Sequence, residues 1–364
     1  IHYHEMDETS RKEVKLQWLG ETKLRNIPFE LITPDDKNNW LNHSESNFEE
    51  LIPLIDKNVK KAISTHALLR FFSTGVSTNR DSWIIGQSPE SLEIKMKYFI
   101  DKYIVQESKY DCDDTIKWSR NLKERFKRGN REQFDLTKIR KIRYRPFCLH
   151  NLYHSELFID EMGLFDKVPL DENLIICISG IGSSKGYYCL ASNTFASLDL
   201  LEKTQCLPLY WYENGEKRDN ITDWGLAQFV NHYGDDGITK EAIFNYTYAV
   251  LHDPAYREKY KIDLKRDFPR LPFYTDFWQW VEWGKMLMEL HLNFETAVPF
   301  PLAEVTKTEE EPESSSTVKP KNKTRLSADK VNGMIVLDDV TTLKGVPKEA
   351  WDYKLGNRSA LEWI

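Results

Sequence analysis

Two neighbouring stretches decide how this sequence is read: Ile116-Lys-Trp-Ser-Arg-Asn-Leu-Lys-Glu-Arg-Phe-Lys-Arg128 and Lys138-Ile-Arg-Lys-Ile-Arg-Tyr-Arg145. Between residues 115 and 145 there are twelve Lys and Arg but only three acids, Glu124, Glu132 and Asp135. The segment therefore carries a net charge of +9 inside a chain whose total is −7. Charge segregated in this way marks a local surface for a polyanion, whereas the acidic remainder excludes generic binding by the whole molecule. Trp118, Phe126, Tyr144 and Phe147 interleave with the charges. Arg and Lys pair with phosphates, and a planar Arg fork also reads guanine edges. A solvated charged helix is the competing reading, because charge runs are usually that; RNA or a protein partner stands behind both.

Outward from this segment the chain reads as mixed α/β. The composition, 40% hydrophobic and 13% aromatic with 11 Trp among 364 residues, supports real cores and about two domains. Residues 1–65 read as a strand, a helix from about Ser10 to Leu19 with Val14, Leu16 and Leu19 on its apolar face, and a strand at Phe29–Thr33. Ser88-Pro89-Glu90 is a helix start, and Leu92, Met96, Phe99, Ile100 and Tyr103 follow at helical spacing. Leu174–Ile178, Tyr187–Leu190 and Leu207–Tyr212 read as strands, the last placed at an edge by Pro208. Lys240–His252, Pro254–Leu264 and Thr275–Phe294 read as helices, with Phe277, Trp280, Val281, Gly284, Leu287, Met288 and His291 forming one face of the last. Residues 304–330, poor in apolar side chains, read as a mobile linker, and 331–364 as a C-terminal hairpin and helix.

Complete catalytic motifs are not found. Gly180-Ile-Gly-Ser-Ser-Lys-Gly186 lacks the Walker spacing and reads as a glycine turn between strands, or less directly as an amide nest for a DNA phosphate. Asp35, Glu93 and Lys95 supply the residue types of a nuclease, but Glu93 and Lys95 lie two apart in a helix and do not share a face. His2 and His4 share a strand face without a third metal ligand. The glycine-rich methyl-donor loop and the Asn/Asp-Pro-Pro-aromatic loop of an adenine methyltransferase are absent, and Asp253-Pro254 reads as a capped helix start. The five Cys form no CxxC pair, which suits a reducing cytoplasm, and no signal peptide or long apolar span points to export or a membrane. The sequence opens at Ile1 in an apolar-polar alternation, as a piece of a longer protein would.

Eight stretches in order give the sequence a specific likeness. They are Phe72-Ser-Thr-Gly-Val-Ser-Thr-Asn-Arg-Asp-Ser-Trp83, Ile116–Lys123, Tyr144-Arg-Pro-Phe147 with Tyr153, and Leu207-Pro-Leu-Tyr-Trp-Tyr212. Tyr248-Ala-Val-Leu-His-Asp-Pro-Ala-Tyr-Arg257, Asp263-Leu-Lys-Arg-Asp-Phe-Pro-Arg-Leu-Pro272, Gly345-Val-Pro-Lys-Glu-Ala-Trp-Asp-Tyr353 and Gly356-Asn-Arg-Ser-Ala-Leu-Glu-Trp363 follow. Together they resemble the C-terminal specificity region of Type ISP restriction-modification enzymes, single polypeptides that join nuclease, helicase-like ATPase, coupler, methyltransferase and target-recognition parts.

The resemblance implies that residues 1–65 trail a methyltransferase-like sheet and that 66–303 form a mixed α/β target-recognition domain with a helical part. It implies double-stranded DNA as partner, together with the methyltransferase, helicase and nuclease domains of the same polypeptide. S-adenosylmethionine, ATP and Mg are implied for the full enzyme, and no cofactor is expected on this part. Lys117, Arg120, Lys123, Arg125, Arg143 and Arg145 are expected to face DNA, with Asn79, Arg80 and Lys185 in a second tier. At Arg80, Asp81, Arg145 and Pro146 a buried pair that staples two elements is the competing expectation. A protein-docking role for the Thr275–Phe294 helix and a divergent nuclease remain as alternative functions.

Overall fold

The computed structural model describes residues 1–7, 10–34, 40–41, 47–105, 115–163, 173–306, 326–354, 359 and 361–363. Its architecture is mixed α/β, with helices set against several small sheets rather than one large one.

The sheet that carries the basic segment has the order Phe195–Ala196, Ile139–Arg145, Cys148–Tyr153, Ile85–Gly86. Its centre is the antiparallel hairpin 139–153, in register at Ile142↔His150 and shifted by a bulge between Arg143 and Arg145. Helix Pro89–Ile104 packs on this sheet through Leu92, Met96, Phe99, Ile100 and Tyr103, all buried as the spacing predicts. Ser88 caps it by accepting from the Ser91 amide, and Pro89 occupies the first turn, where no amide partner is needed. Leu122 and Phe126 of helix Arg120–Lys127 close the same core against Tyr103, Phe158 and Trp118.

A second sheet, Ser73–Thr74, Gln205–Pro208, Ile175–Ile178, Cys189–Ser192, is antiparallel throughout. Pro208 ends an interior strand rather than an edge one. Ser73–Thr74 reaches only Cys206 and Gln205, so at Pro208 the second neighbour is already gone and its missing amide goes unneeded. Helix Lys240–His252 is buried along ten of its residues and lies against helix Phe277–Leu292. Gly284 allows that approach, since a Cβ there would stand 1.9 Å from the Asn245 carbonyl oxygen. The predicted face of the later helix is indeed the packed one: Phe277, Gly284, Met288 and His291 are buried. His291 is hydrogen-bonded to Tyr248 (2.6 Å) and Tyr353 (3.2 Å), which ties the C-terminal helix Lys348–Asp352 to the core.

At three further places the structure differs from the reading above or adds to it. First, the stretch from Phe48, expected with residues 1–65, packs into the same core as residues beyond 66. Phe48, Ile52, Leu54 and Ile55 are buried in it, Ile52 is bridged to Leu271, and the Leu54 amide donates to the Pro269 carbonyl. Second, helix Lys12–Glu21 starts two residues after Ser10, with Arg11 at the cap, and Val14, Leu16 and Leu19 all lie exposed. Positions 14 and 16 are on opposing sides of a helix, so these three residues never shared a face. Third, Ala303–Thr306 and Ser327–Asp329, taken above as linker, are strands of a four-stranded C-terminal sheet with Thr341–Lys344 and Met334–Val336. Residues 307–325, the rest of that expectation, lie outside the described residues.

Gly284→Ala is expected to lower unfolding free energy by at least about 1–3 kcal/mol, because backbone rather than a flexible side chain blocks the added methyl. Urea unfolding checks this; a neutral result would contradict the helix contact.

Candidate nucleic-acid interface

The loop 76–82 is held by a buried ion pair between Arg80 and Asp160. Arg80 Nη2 donates to Asp160 Oδ1 at 3.0 Å and also to Ser119 Oγ, Nη1 donates to the Phe158 carbonyl, and Nε to the Lys117 carbonyl at 3.4 Å. The side chains are 0% and 2% exposed. Burial pushes the Arg80 guanidinium down and the Asp160 carboxylate opposes that push. Asp160 also accepts from Ser119 Oγ (2.9 Å) and from Asn79 Nδ2 (2.7 Å). Ser119 in turn caps helix Arg120–Lys127 by accepting from the Leu122 amide at 3.1 Å. Asn79 sits in the left-handed region, φ 55°, where Asn is among the better-tolerated residues. One buried pair thus fixes a loop, a helix start and the segment before Glu161 together.

Two clefts meet along this loop at Asp81 and Ser82. One, of about 400 Å³, is lined by Thr78, Asn79, Lys117 and Asp199 among others. The other, of about 430 Å³, is lined by Gln87, Ser91, Lys95, Tyr144 and His150 with Ile85 and Gly86. They form a polar groove walled by the 76–82 loop, the start of helix Pro89–Ile104 and the 139–153 hairpin.

The candidate residues separate. Lys117, Arg120 and Lys123 are exposed; Lys117 lines the groove, and Arg120 and Lys123 lie on the outward face of a helix whose inner face is Leu122 and Phe126. Arg145 is about one-third exposed (35%), stacks over Tyr144 at 3.9 Å and lies 3.9 Å from Asp81, beside the groove. Asn79 is exposed at the groove. Lys185 is exposed on the Gly180–Gly186 loop and does not line the groove.

Three arginines do not face outward. Arg80 is the buried staple. Arg125 donates to the carbonyls of Leu157 (3.1 Å) and Ile159 (2.7 Å), anchoring its helix. Arg143 is fully buried against the Phe294 ring, 5.1 Å from its centroid, and burial pushes its guanidinium down. At Arg80 the buried-pair expectation describes the geometry; Arg145 and Asp81, each about one-third exposed and 3.9 Å apart, form an open pair rather than a buried one. Other charges of the segment are paired without being withdrawn from the surface: exposed Lys127 with Glu124, half-buried Lys138 with Glu132, and exposed Arg131 over the Phe126 ring; Arg128, Arg140 and Lys141 are exposed as well. The interleaved aromatics Trp118 and Phe126 are packing partners of Tyr103 rather than an exposed stacking platform.

Sequence reasoning did not single out Ser82, Gln87, Ser91, Tyr144, His150 or Asp199 as groove residues. They come from separate elements; Ser82 and Tyr144 fall in stretches quoted above for the family likeness, and the other four carry no local motif. Lys95, weighed above only as a nuclease part, donates to the Ser82 (3.0 Å) and Ile85 (2.7 Å) carbonyls on the groove wall. Among the described residues no three His, Cys, Asp or Glu side chains converge as metal ligands would, and no helix is long and apolar enough to cross a membrane.

The frame and its polar groove define a mixed α/β recognition domain. A family model for the Type ISP C-terminal specificity domain matches residues 67–364, and the chain belongs to that family. No curated protein matches it. Solved structures do, among them three DNA complexes. The cryoEM structure of a DrdV–DNA complex is 39% identical with a TM-score of 0.84, covering 96% of this chain and 36% of that one. A nuclease-deletion mutant of the Type ISP restriction-modification enzyme LlaGI, in complex with a DNA substrate mimic, is 26% identical with a TM-score of 0.74, covering 100% and 28%. The ATP-dependent Type ISP restriction-modification enzyme LlaBIII bound to DNA is 26% identical, also at 0.74, covering 92% and 22%. The chain thus spans roughly a third or less of the structures it matches.

Asp160→Ala, which strands a buried guanidinium, is expected to cost about 3–5 kcal/mol of stability. A loss below about 1 kcal/mol in chemical denaturation would contradict the staple.

Proposed function

We propose that this domain reads the target sequence in double-stranded DNA for a Type ISP restriction-modification enzyme. The observation that carries the reading is the polar groove, held along the Arg80–Asp160 loop and lined by exposed Lys117, with Arg120 and Lys123 exposed on the helix that follows. The DNA complexes of DrdV, LlaGI and LlaBIII support it. Lys117, Arg120, Lys123 and Arg145 would contact phosphates, which set register and most of the affinity. Neutral groups on the groove, with exposed Gln87 foremost, would meet base edges, where a free amide side chain can pair with adenine; Asn79, whose Nδ2 is held by Asp160, would offer its Oδ1. A groove already held by buried bonds lowers the ordering cost of that readout.

Methylation of an adenine, with S-adenosylmethionine, and ATP- and Mg-dependent translocation and cleavage would belong to other parts of a longer polypeptide. The outer face of helix Phe277–Leu292, where Trp283, Met286 and Leu290 are exposed opposite the packed face, suits a contact with those parts. A cytoplasmic setting accords with the free thiols Cys148, Cys177, Cys189 and Cys206.

Replacing Lys117, Arg120 and Lys123 together with Ala is expected to weaken duplex binding and to flatten the slope of log K against log salt by about 0.9 per lost phosphate contact. Unchanged affinity and slope in a salt titration would remove this face from the interface.

A further inference from the structure

The Gly180–Gly186 loop, which the groove does not use, already holds an anion from its own chain. Glu202 Oε2 accepts from Ser183 Oγ at 2.9 Å and from the Lys185 amide at 3.1 Å, and Oε1 accepts from Ser184 Oγ at 3.0 Å. Desolvation pushes this carboxyl up, but the bonds from Ser183, Ser184 and Lys185 outweigh it and the net shift is downward. The donor set is therefore one that prefers a negative oxygen pair. Hydroxyls and a backbone amide converging in this way are also what phosphate oxygens take.

The carboxylate is delivered by unusual backbone. Glu202 and Lys203 are both left-handed, φ 65° and 53°, and neither is Gly or Asn. Such residues persist where surrounding bonds compensate, and here those include Glu202's own carboxylate bonds. Loss of the bonds would let the turn relax, so the carboxylate is a replaceable occupant. Exposed Lys185 and Lys203 flank it, and Lys203 Nζ donates to the Gly182 carbonyl at 3.0 Å. Gly180 is needed because a Cβ there would stand 2.4 Å from the Lys203 carbonyl oxygen.

The turn also reaches the groove. Asp199 lines it, and Thr204 N closes the segment by donating to the Leu198 carbonyl at 2.8 Å. From Asp199 to Glu202 the chain spans at most about 11 Å. At 3.4 Å per nucleotide along a strand, that is roughly three base pairs from the groove wall.

We propose that Ser183, Ser184 and the Lys185 amide form a second phosphate clamp, and that a backbone phosphate of bound duplex displaces the Glu202 carboxylate from it. This rests on the DNA reading above. The clamp adds a sequence-independent contact outside the groove, and Glu202 keeps the loop formed when DNA is absent.

The test measures affinity of the full chain for a random-sequence duplex at fixed ionic strength in chloride buffer, with thermal melting to check folding. Glu202→Gln preserves shape and removes the competing charge; it is expected to tighten binding by roughly three- to tenfold. Adding Ser183→Ala and Ser184→Ala to that variant is expected to abolish the gain. A gain that survives loss of both hydroxyls would be general electrostatics and overturns the clamp. Unchanged or weakened binding by folded Glu202→Gln overturns it as well. If inorganic phosphate raises the melting temperature of Glu202→Gln while duplex affinity shows no serine dependence, the loop holds a free anion and the duplex assignment is overturned. Failure of the wild-type chain to bind duplex at all would instead remove the DNA reading itself, which separates the two claims.

Discussion

The buried pair of Arg80 and Asp160 is the constraint on which the recognition surface depends. A guanidinium withdrawn from water needs each of its donors met. Here the partners come from distant parts of the chain: Lys117 and Phe158 through carbonyls, Ser119 through its hydroxyl and Asp160 through its carboxylate. Replacing such a pair by apolar residues is often neutral or stabilising, so net stability is a poor explanation for its presence. What it supplies is position. Asn79 is held in a backbone conformation that few residues favour, and Lys117 and the start of helix Arg120–Lys127 are set beside it. A groove made of loop and helix ends would otherwise be among the more mobile parts of a domain.

Periodicity carried helices Pro89–Ile104 and Phe277–Leu292 but not Lys12–Glu21, and it failed at the charges for a physical reason. Leu92, Met96, Phe99, Ile100 and Tyr103, and likewise Phe277, Gly284, Met288 and His291, announce their buried faces through local spacing alone. The arginines of the basic segment look alike in sequence. Their fates are set by partners far along the chain, Asp160 for Arg80, Leu157 and Ile159 for Arg125, and Phe294 for Arg143. Strand alternation gives no help at Arg143, because Ile142 and Arg143 are both buried where the hairpin is covered on two sides and bulged. The groove residues Gln87, His150 and Asp199 are equally illegible, since only the fold brings them to one surface. The eight sequence stretches conveyed the family well before any one residue's role could be assigned.

The basic segment keeps most of its charge at the surface. Of its twelve Lys and Arg, Arg143 is buried and Arg125, Lys138 and Arg145 are half-buried, while the other eight, Lys117, Arg120 and Lys123 among them, are exposed. A broad cationic field binds any duplex strongly, and selectivity then has to compete with sequence-independent affinity. Contacts to base edges along the groove are what would have to supply the difference.

Amide hydrogen exchange of the full chain, with and without a duplex containing its target site, tests the central claim most directly. The account predicts protection on binding in residues 76–82 and 115–124 and in the 139–153 hairpin, with helix Phe277–Leu292 unaffected. Protection confined to that helix, with none along the groove, would contradict it.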